Sequence, residues 1–124
     1  MFDFSDTQAT DVPRTLVVKH PATGVAVAEI DLISIDADAP KRVKRRQEQR
    51  RLKSRTPLKL DMDEIRADQL EVLAACTVAW REVTWKGAVL ELSSANAIML
   101  YDALPWLKQQ VDDFVNDVAV FLES

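Results

Sequence analysis

Side chains that commonly do chemistry are scarce in this chain, and their spacing suits no reaction. General acid–base or nucleophilic catalysis needs a poised group beside its partner. His20, the one histidine, stands next to Pro21 in a stretch with the composition of a turn, a structural setting. Cys76, the one cysteine, lies in the apolar run Leu73-Ala74-Ala75-Cys76-Thr77-Val78, which suits a small buried hydrophobe rather than a reactive thiol. A lone cysteine forms no intramolecular disulfide, and one Cys with one His cannot complete a zinc site. Asp112, Asp113 and Asp117 come closest to a cluster for a divalent cation. They fall on the polar side of an amphipathic helix, however, where carboxylates are ordinarily solvated. There is no GxSxG, no HExxH and no glycine-rich phosphate loop, and Gly24 and Gly87 are the only glycines available to build a cradle. These residues predict no catalytic site, no metal and no cofactor, and a protein that acts by binding.

Charge is the least uniform property. Lys41, Arg42, Lys44, Arg45, Arg46, Arg50, Arg51, Lys53 and Arg55 are clustered in one short segment, opposed only by Glu48. That segment is about +8, and because the formal total is −4, the rest of the chain is about −12. Three readings are open. The cations can neutralise phosphates, but the run has no aromatic residues for stacking and the remainder of the molecule repels nucleic acid. They can be a solvated helix face. Or they can dock on an acidic protein surface, and the acidic remainder of a second copy is one such surface, which gives a route to head-to-tail self-association. The third reading accounts best for the opposition of charges.

The elements that position these groups follow from local pattern. Residues 1–13 have no period and end in Val12-Pro13, so a mobile arm is expected. Arg14 to His20 and Val25 to Ile35 are rich in β-branched residues and flank His20-Pro21-Ala22-Thr23-Gly24, the composition of a β-hairpin. In its second strand Ala26, Ala28, Ile30 and Leu32 alternate with Val25, Val27, Glu29 and Asp31, predicting one face on a core and one largely wet. The basic run fits a helix from about 40 to 54, with Pro40 in its first turn. Its only apolar residues are Val43 and Leu52, so it is expected to be exposed and partly frayed. Thr56-Pro57 ends it within a linker running to 57.

A helical core is expected over about 61–122. Asp61 and Glu64 form a capping-box pair, and the chain then runs without Gly or Pro to Trp80, predicting a central helix with Ile65, Val72, Cys76 and Ala79 on one side. Val83-Thr84-Trp85, Lys86-Gly87 and Ala88 to Leu92 read as a possible second short hairpin. Ser93 or Ser94 caps a helix through Leu104, and Pro105 opens another through about Leu122, as a fresh start or as a kink. In that last helix Leu107, Val111, Phe114, Val118 and Phe121 recur in a 4, 3, 4, 3 rhythm, a seam of a/d type. The seam can pack inward as core. With Trp106 it can instead form a groove or oligomer surface, a use suggested by Tyr101 and three tryptophans in so short a chain.

At 124 residues the chain suits one domain, 14–124, behind the arm. The fold class is α+β, predominantly helical. No run of about 18 consecutive apolar residues occurs, and the acidic N-terminus is unlike a signal peptide. Location in the cytoplasm, without a membrane partner, is expected.

The C-terminal half also carries a more specific pattern. Leu73-Ala74-Ala75-Cys76-Thr77 followed by Trp80, then Ser93-x-x-Asn96-Ala97, Leu100-Tyr101, Leu104-Pro105-Trp106-Leu107, Gln110-Val111, Phe114, Asp117 and Phe121-Leu122 resembles the tail assembly chaperones of long-tailed (siphovirus-type) bacteriophages. The hairpin with His20-Pro21-x-Thr23-Gly24 is similar to the same family, so the resemblance spans roughly 14–122. The linker departs from it: Asp36 to Pro40 stand where the family pattern has an Asp-Ser and a tyrosine before the arginines. The resemblance implies a non-virion helper in the host cytoplasm that coats and solubilises the tape measure protein and helps bring tail tube subunits to it. It also implies a homo-oligomer, and commonly a longer frameshifted form. A structural tail or head–tail joining component retained in the virion is the alternative, and a small nucleic-acid-binding protein the third.

Overall fold

The computed structural model describes residues 1–7, 11–53 and 62–122. Three strands, β1 (Arg14–Lys19), β2 (Ala26–Leu32) and β3 (Thr77–Arg81), form an antiparallel sheet in the order β1-β2-β3. Two helices, α1 (Asp38–Lys53) and α2 (Met62–Cys76), separate β2 from β3 in the chain. A small hairpin of β4 (Thr84–Trp85) and β5 (Ala88–Val89) follows, then α3 (Ser94–Ala103), α4 (Pro105–Val115) and α5 (Val118–Leu122). The fold is α+β and predominantly helical. No helix among the described residues is long and apolar enough to cross a membrane.

The first hairpin forms where β-branched residues predict it, in register Leu16↔Ile30 and Val18↔Ala28. His20 holds the turn. Its Nδ1 accepts from the backbone N–H of Ala22 and Thr23, at 3.1 and 3.3 Å, while Gly24 takes the positive φ of 72° that the turn requires. Val18, Ile30 and Leu32 are buried on one face; Val17 and Val27 on the other remain 43% and 41% exposed. The strand stops at Leu32 rather than Ile35, because the chain then turns into the core: Ile33 N–H donates to Cys76 O and Ile35 N–H to Val115 O.

The expected central helix is shorter than its pattern. It ends at Cys76, and Thr77-Val78-Ala79-Trp80-Arg81 becomes the third strand, paired with β2 through Ile30↔Trp80 and Asp31↔Ala79. Two β-branched residues and a tryptophan favour extended backbone here. Thr77 seals the junction: its hydroxyl bonds Leu73 O at 2.9 Å and the Tyr101 hydroxyl at 2.8 Å. Ala79 and Trp80 are therefore sheet residues rather than part of a helix face. Asp61, the expected cap, and Thr56-Pro57, the expected stop, lie outside the described residues.

The second hairpin turns on Lys86 and Gly87, both at positive φ (51° and 83°), the two-residue geometry that suits strand twist. The Trp80 indole N–H reaches Leu90 O at 2.9 Å and ties this hairpin to β3. Ser93 caps α3 by accepting from Asn96 N–H. Leu104 is not helical, so α4 is a fresh start with Pro105 at its first turn.

The expected last helix through Leu122 is interrupted at Asn116-Asp117. The Asn116 amide bonds back to Asp112 O, and the Asp117 carboxylate accepts from Ala119 N–H to start α5. In a continuous helix Phe114 and Phe121 would be about 10 Å apart along the axis. The break instead brings their rings into edge-to-face contact at 5.8 Å.

One apolar cluster joins Val18, Ile30 and Leu32 of the sheet to Leu70, Leu73 and Cys76 of α2, Leu100 and Tyr101 of α3, and Leu107, Val111 and Val115 of α4. Beside it, the Gln110 side chain spans to β1: its Nε2 donates to Lys19 O at 2.8 Å and its Oε1 accepts from Lys19 N–H at 3.1 Å.

Candidate functional site

The basic segment folds into α1, with Asp38 in its first turn and Arg50, Arg51 and Lys53 in its last, the order that suits the helix dipole. It is neither wholly exposed nor free of the core. Pro40, Val43 and Gln47 recur at helical spacing and are buried against the rest of the fold. Gln47 does what an apolar residue would do elsewhere. Its Nε2 donates to Asp68 O at 3.0 Å and lies 3.4 Å from Glu71 Oε1, so its burial on α2 leaves the amide satisfied.

Two of the cations assigned to docking are used within the chain. Arg51 pairs with Asp68, and Arg50 Nη2 lies 3.5 Å from Glu71 Oε1. The acidic surface that receives them is α2 of the same molecule. Arg50 and Arg51 thus help hold α1 down while their side chains stay exposed.

The other side of α1 is different. Lys41, Arg42, Arg45 and Arg46 are exposed and form a stripe along the helix, continued by Gln49 and Lys53. Among the described residues none of these cations has an ion-pair partner. Arg42 makes only a long bond from Nε to Asp38 O. Lys44 is half-buried and borders a cavity of about 250 Å³ beneath α1, whose apolar lining is Ile35, Ile65, Val72 and Leu73. Arg51, Asp68 and Asp112 stand at the same cavity.

The seam of the last helices is mostly core. Leu107 and Val111 of α4 and Phe121 of α5 are buried, at 5%, 0% and 4% exposure, and offer no outward face. Only Trp106, Phe114 and Val118 of the six seam residues reach the surface, the first two half-buried and Val118 exposed. Tyr101 is wholly inside. Burial pushes its hydroxyl up to about 12, against the opposing effect of its bond to Thr77. Trp80, Trp85 and Trp106 all pack at the rim of the core, so the tryptophans need no separate groove to account for them.

The remaining reactive groups are quiet. Cys76 has no exposed surface, and burial pushes its thiol up to about 12. No group of three His, Cys, Asp or Glu among the described residues is placed to hold a metal ion.

A second charged cluster lies on the open face of the sheet, built by the strand pairing that contiguous sequence does not reveal. Both Arg81 guanidinium nitrogens Nη1 and Nη2 donate to Asp31 at 2.9 Å, Thr15 donates to the same carboxylate at 2.7 Å, and Glu29 lies 3.6 Å from Arg81 Nε. The Arg81 and Thr15 bonds hold the Asp31 carboxyl down to about 2. The bonds to Asp31, with Glu29 close by, raise the Arg81 guanidinium above its ordinary value. Comparison of the chain with protein families, curated proteins and solved structures finds no match.

Proposed function

We propose that this chain is a tail assembly chaperone of a long-tailed bacteriophage, a helper in the host cytoplasm that binds and solubilises the tape measure protein in many copies and assists recruitment of tail tube subunits. The observation that carries the binding role is the division of α1. One side buries Val43 and is fastened to α2 by Gln47, Arg50 and Arg51; the other holds Lys41, Arg42, Arg45 and Arg46 outward without partners among the described residues. A helix anchored in this way presents its charges at fixed spacing, so a partner loses less freedom on docking than it would on a frayed tail. The resemblance of 14–122 to the tail assembly chaperones supplies the client class. Within the seam of the last helices, Trp106, Phe114 and Val118 reach the surface and are available to an apolar helix of the client, and many weak contacts of this kind gain affinity through repetition along one client.

The test is co-expression with the tape measure protein of the same phage, followed by sizing with light scattering at two salt concentrations. A tape measure that stays soluble only with this chain, and elutes carrying many copies of it, supports the proposal. A chain that elutes alone while the tape measure precipitates rejects it. Stoichiometric recovery of the chain from purified mature virions favours a structural tail component instead.

A further inference from the structure

The N-terminal arm supplies features that the cationic helix lacks. Met1 to Asp11 contains Asp3, Asp6 and Asp11 with no lysine or arginine, and two phenylalanines two residues apart. Phe2 and Phe4 are 68% and 77% exposed, and their rings meet edge to face at 5.1 Å. Asp3 accepts from both the backbone N–H and the hydroxyl of Ser5, which starts a short 3₁₀ turn over Phe4–Thr7. The arm is thus not wholly without structure. It is also fastened at its base, where Asp11 accepts from Asp38 N–H at the start of α1.

We infer that the arm of one copy docks on α1 of a second copy, with a phenylalanine ring in the cavity beneath α1 and the arm's aspartates on the cationic stripe. Three observations converge on this pairing. The cavity floor of Ile35, Ile65, Val72 and Leu73 is apolar and large enough for an aromatic ring, while Phe2 and Phe4 have little else to cover them. Lys44 stands in the cavity lining and Lys41 lies one turn from it on α1, at the edge of the stripe, so they can meet carboxylates set one or two residues from the rings. Asp112 and Asp68 also face the cavity, so the ring enters between charges of both signs and the aspartates must settle toward the stripe. Finally, Asp11 plants each arm beside its own α1, so every copy carries donor and receiver close together. Arms exchanged reciprocally close a pair, and an arm passed on from copy to copy builds a ring or an open chain.

The inference concerns the same helix face as the proposed function but needs no client, so its test uses the full chain alone. Sedimentation velocity is run over a concentration series at about 0.05 M and about 0.5 M salt. Average mass is expected to rise with concentration at low salt and to rise less at high salt. Phe2→Ser with Phe4→Ser should weaken association at least about tenfold with the helical circular dichroism unchanged, since neither ring touches the core. Arg45→Glu with Arg46→Glu should weaken it similarly, and adding Asp3→Lys with Asp6→Lys should restore it in part. A chain that stays monomeric throughout, as an arm docked on its own copy would also give, overturns the inference. So does association indifferent to both sets of substitutions. Either result leaves the co-expression experiment to be decided independently.

Discussion

The two charge-rich surfaces of this molecule are organised in opposite ways. On the open face of the sheet Glu29, Asp31 and Arg81 are paired across neighbouring strands, so that Asp31 is shared by Thr15 and Arg81, and Arg81 reaches on to Glu29. On the outward side of α1, Lys41, Arg42, Arg45 and Arg46 stand without counterions among the described residues. The first arrangement stabilises strand pairing and leaves little to offer a partner. The second contributes little to the fold and leaves its attraction unspent. Charge count alone does not show which charges the fold uses; their pairing does.

The largest expected effect breaks the anchoring of α1. Val43→Asp places an unpaired carboxylate at a site only 5% exposed, and a loss of about 3–5 kcal/mol of stability is expected in chemical denaturation. If α1 were merely a solvated helix, the same change would cost almost nothing. Next is the outward face. Arg45→Glu with Arg46→Glu should leave stability within about 0.5 kcal/mol while weakening any acidic partner's binding, as read by denaturation and by salt-dependent association in parallel. Arg50 is best left intact in that experiment, because its pairing with Glu71 would confuse anchoring with docking.

A subtler prediction concerns the sheet face. The folded Asp31 carboxyl titrates at about 2, below its ordinary value, so its contribution is present above about pH 4 and is lost as pH falls toward 2. Wild-type and Asp31→Asn proteins should differ in stability near neutrality and converge in acid; a gap that is constant with pH would show that the carboxylate's charge is not what Arg81 and Thr15 recognise. The smallest effect is expected at Lys86, held at a φ of 51°. Lys86→Asn should gain a few tenths of a kcal/mol, because asparagine tolerates the left-handed region better.

Local signals revealed the elements whose causes are local. The first hairpin, the Lys86-Gly87 turn, the Ser93 cap and the Pro105 start each follow from two to five adjacent residues, and each forms as expected. β3 was hidden because nothing between Cys76 and Thr77 interrupts the helical pattern; its pairing with β2 is settled by residues some fifty positions away. The inner face of α1 was hidden for a different reason. Gln47 seals it with hydrogen bonds to α2, and a hydropathy pattern counts a glutamine as outward. The break at Asn116-Asp117 was legible in principle, since both side chains compete with helical backbone bonds, but the 4, 3, 4, 3 rhythm of the apolar residues continued across it.

The Gln110 bridge has a consequence wherever copies of this chain are crowded together. β1 is an outer strand of the sheet, and such a strand can recruit the matching strand of another molecule and seed a cross-β stack. By occupying both the N–H and the C=O of Lys19, one glutamine amide imitates the neighbour that an incoming strand would be, and the ladder is closed at that residue before a stranger can extend it.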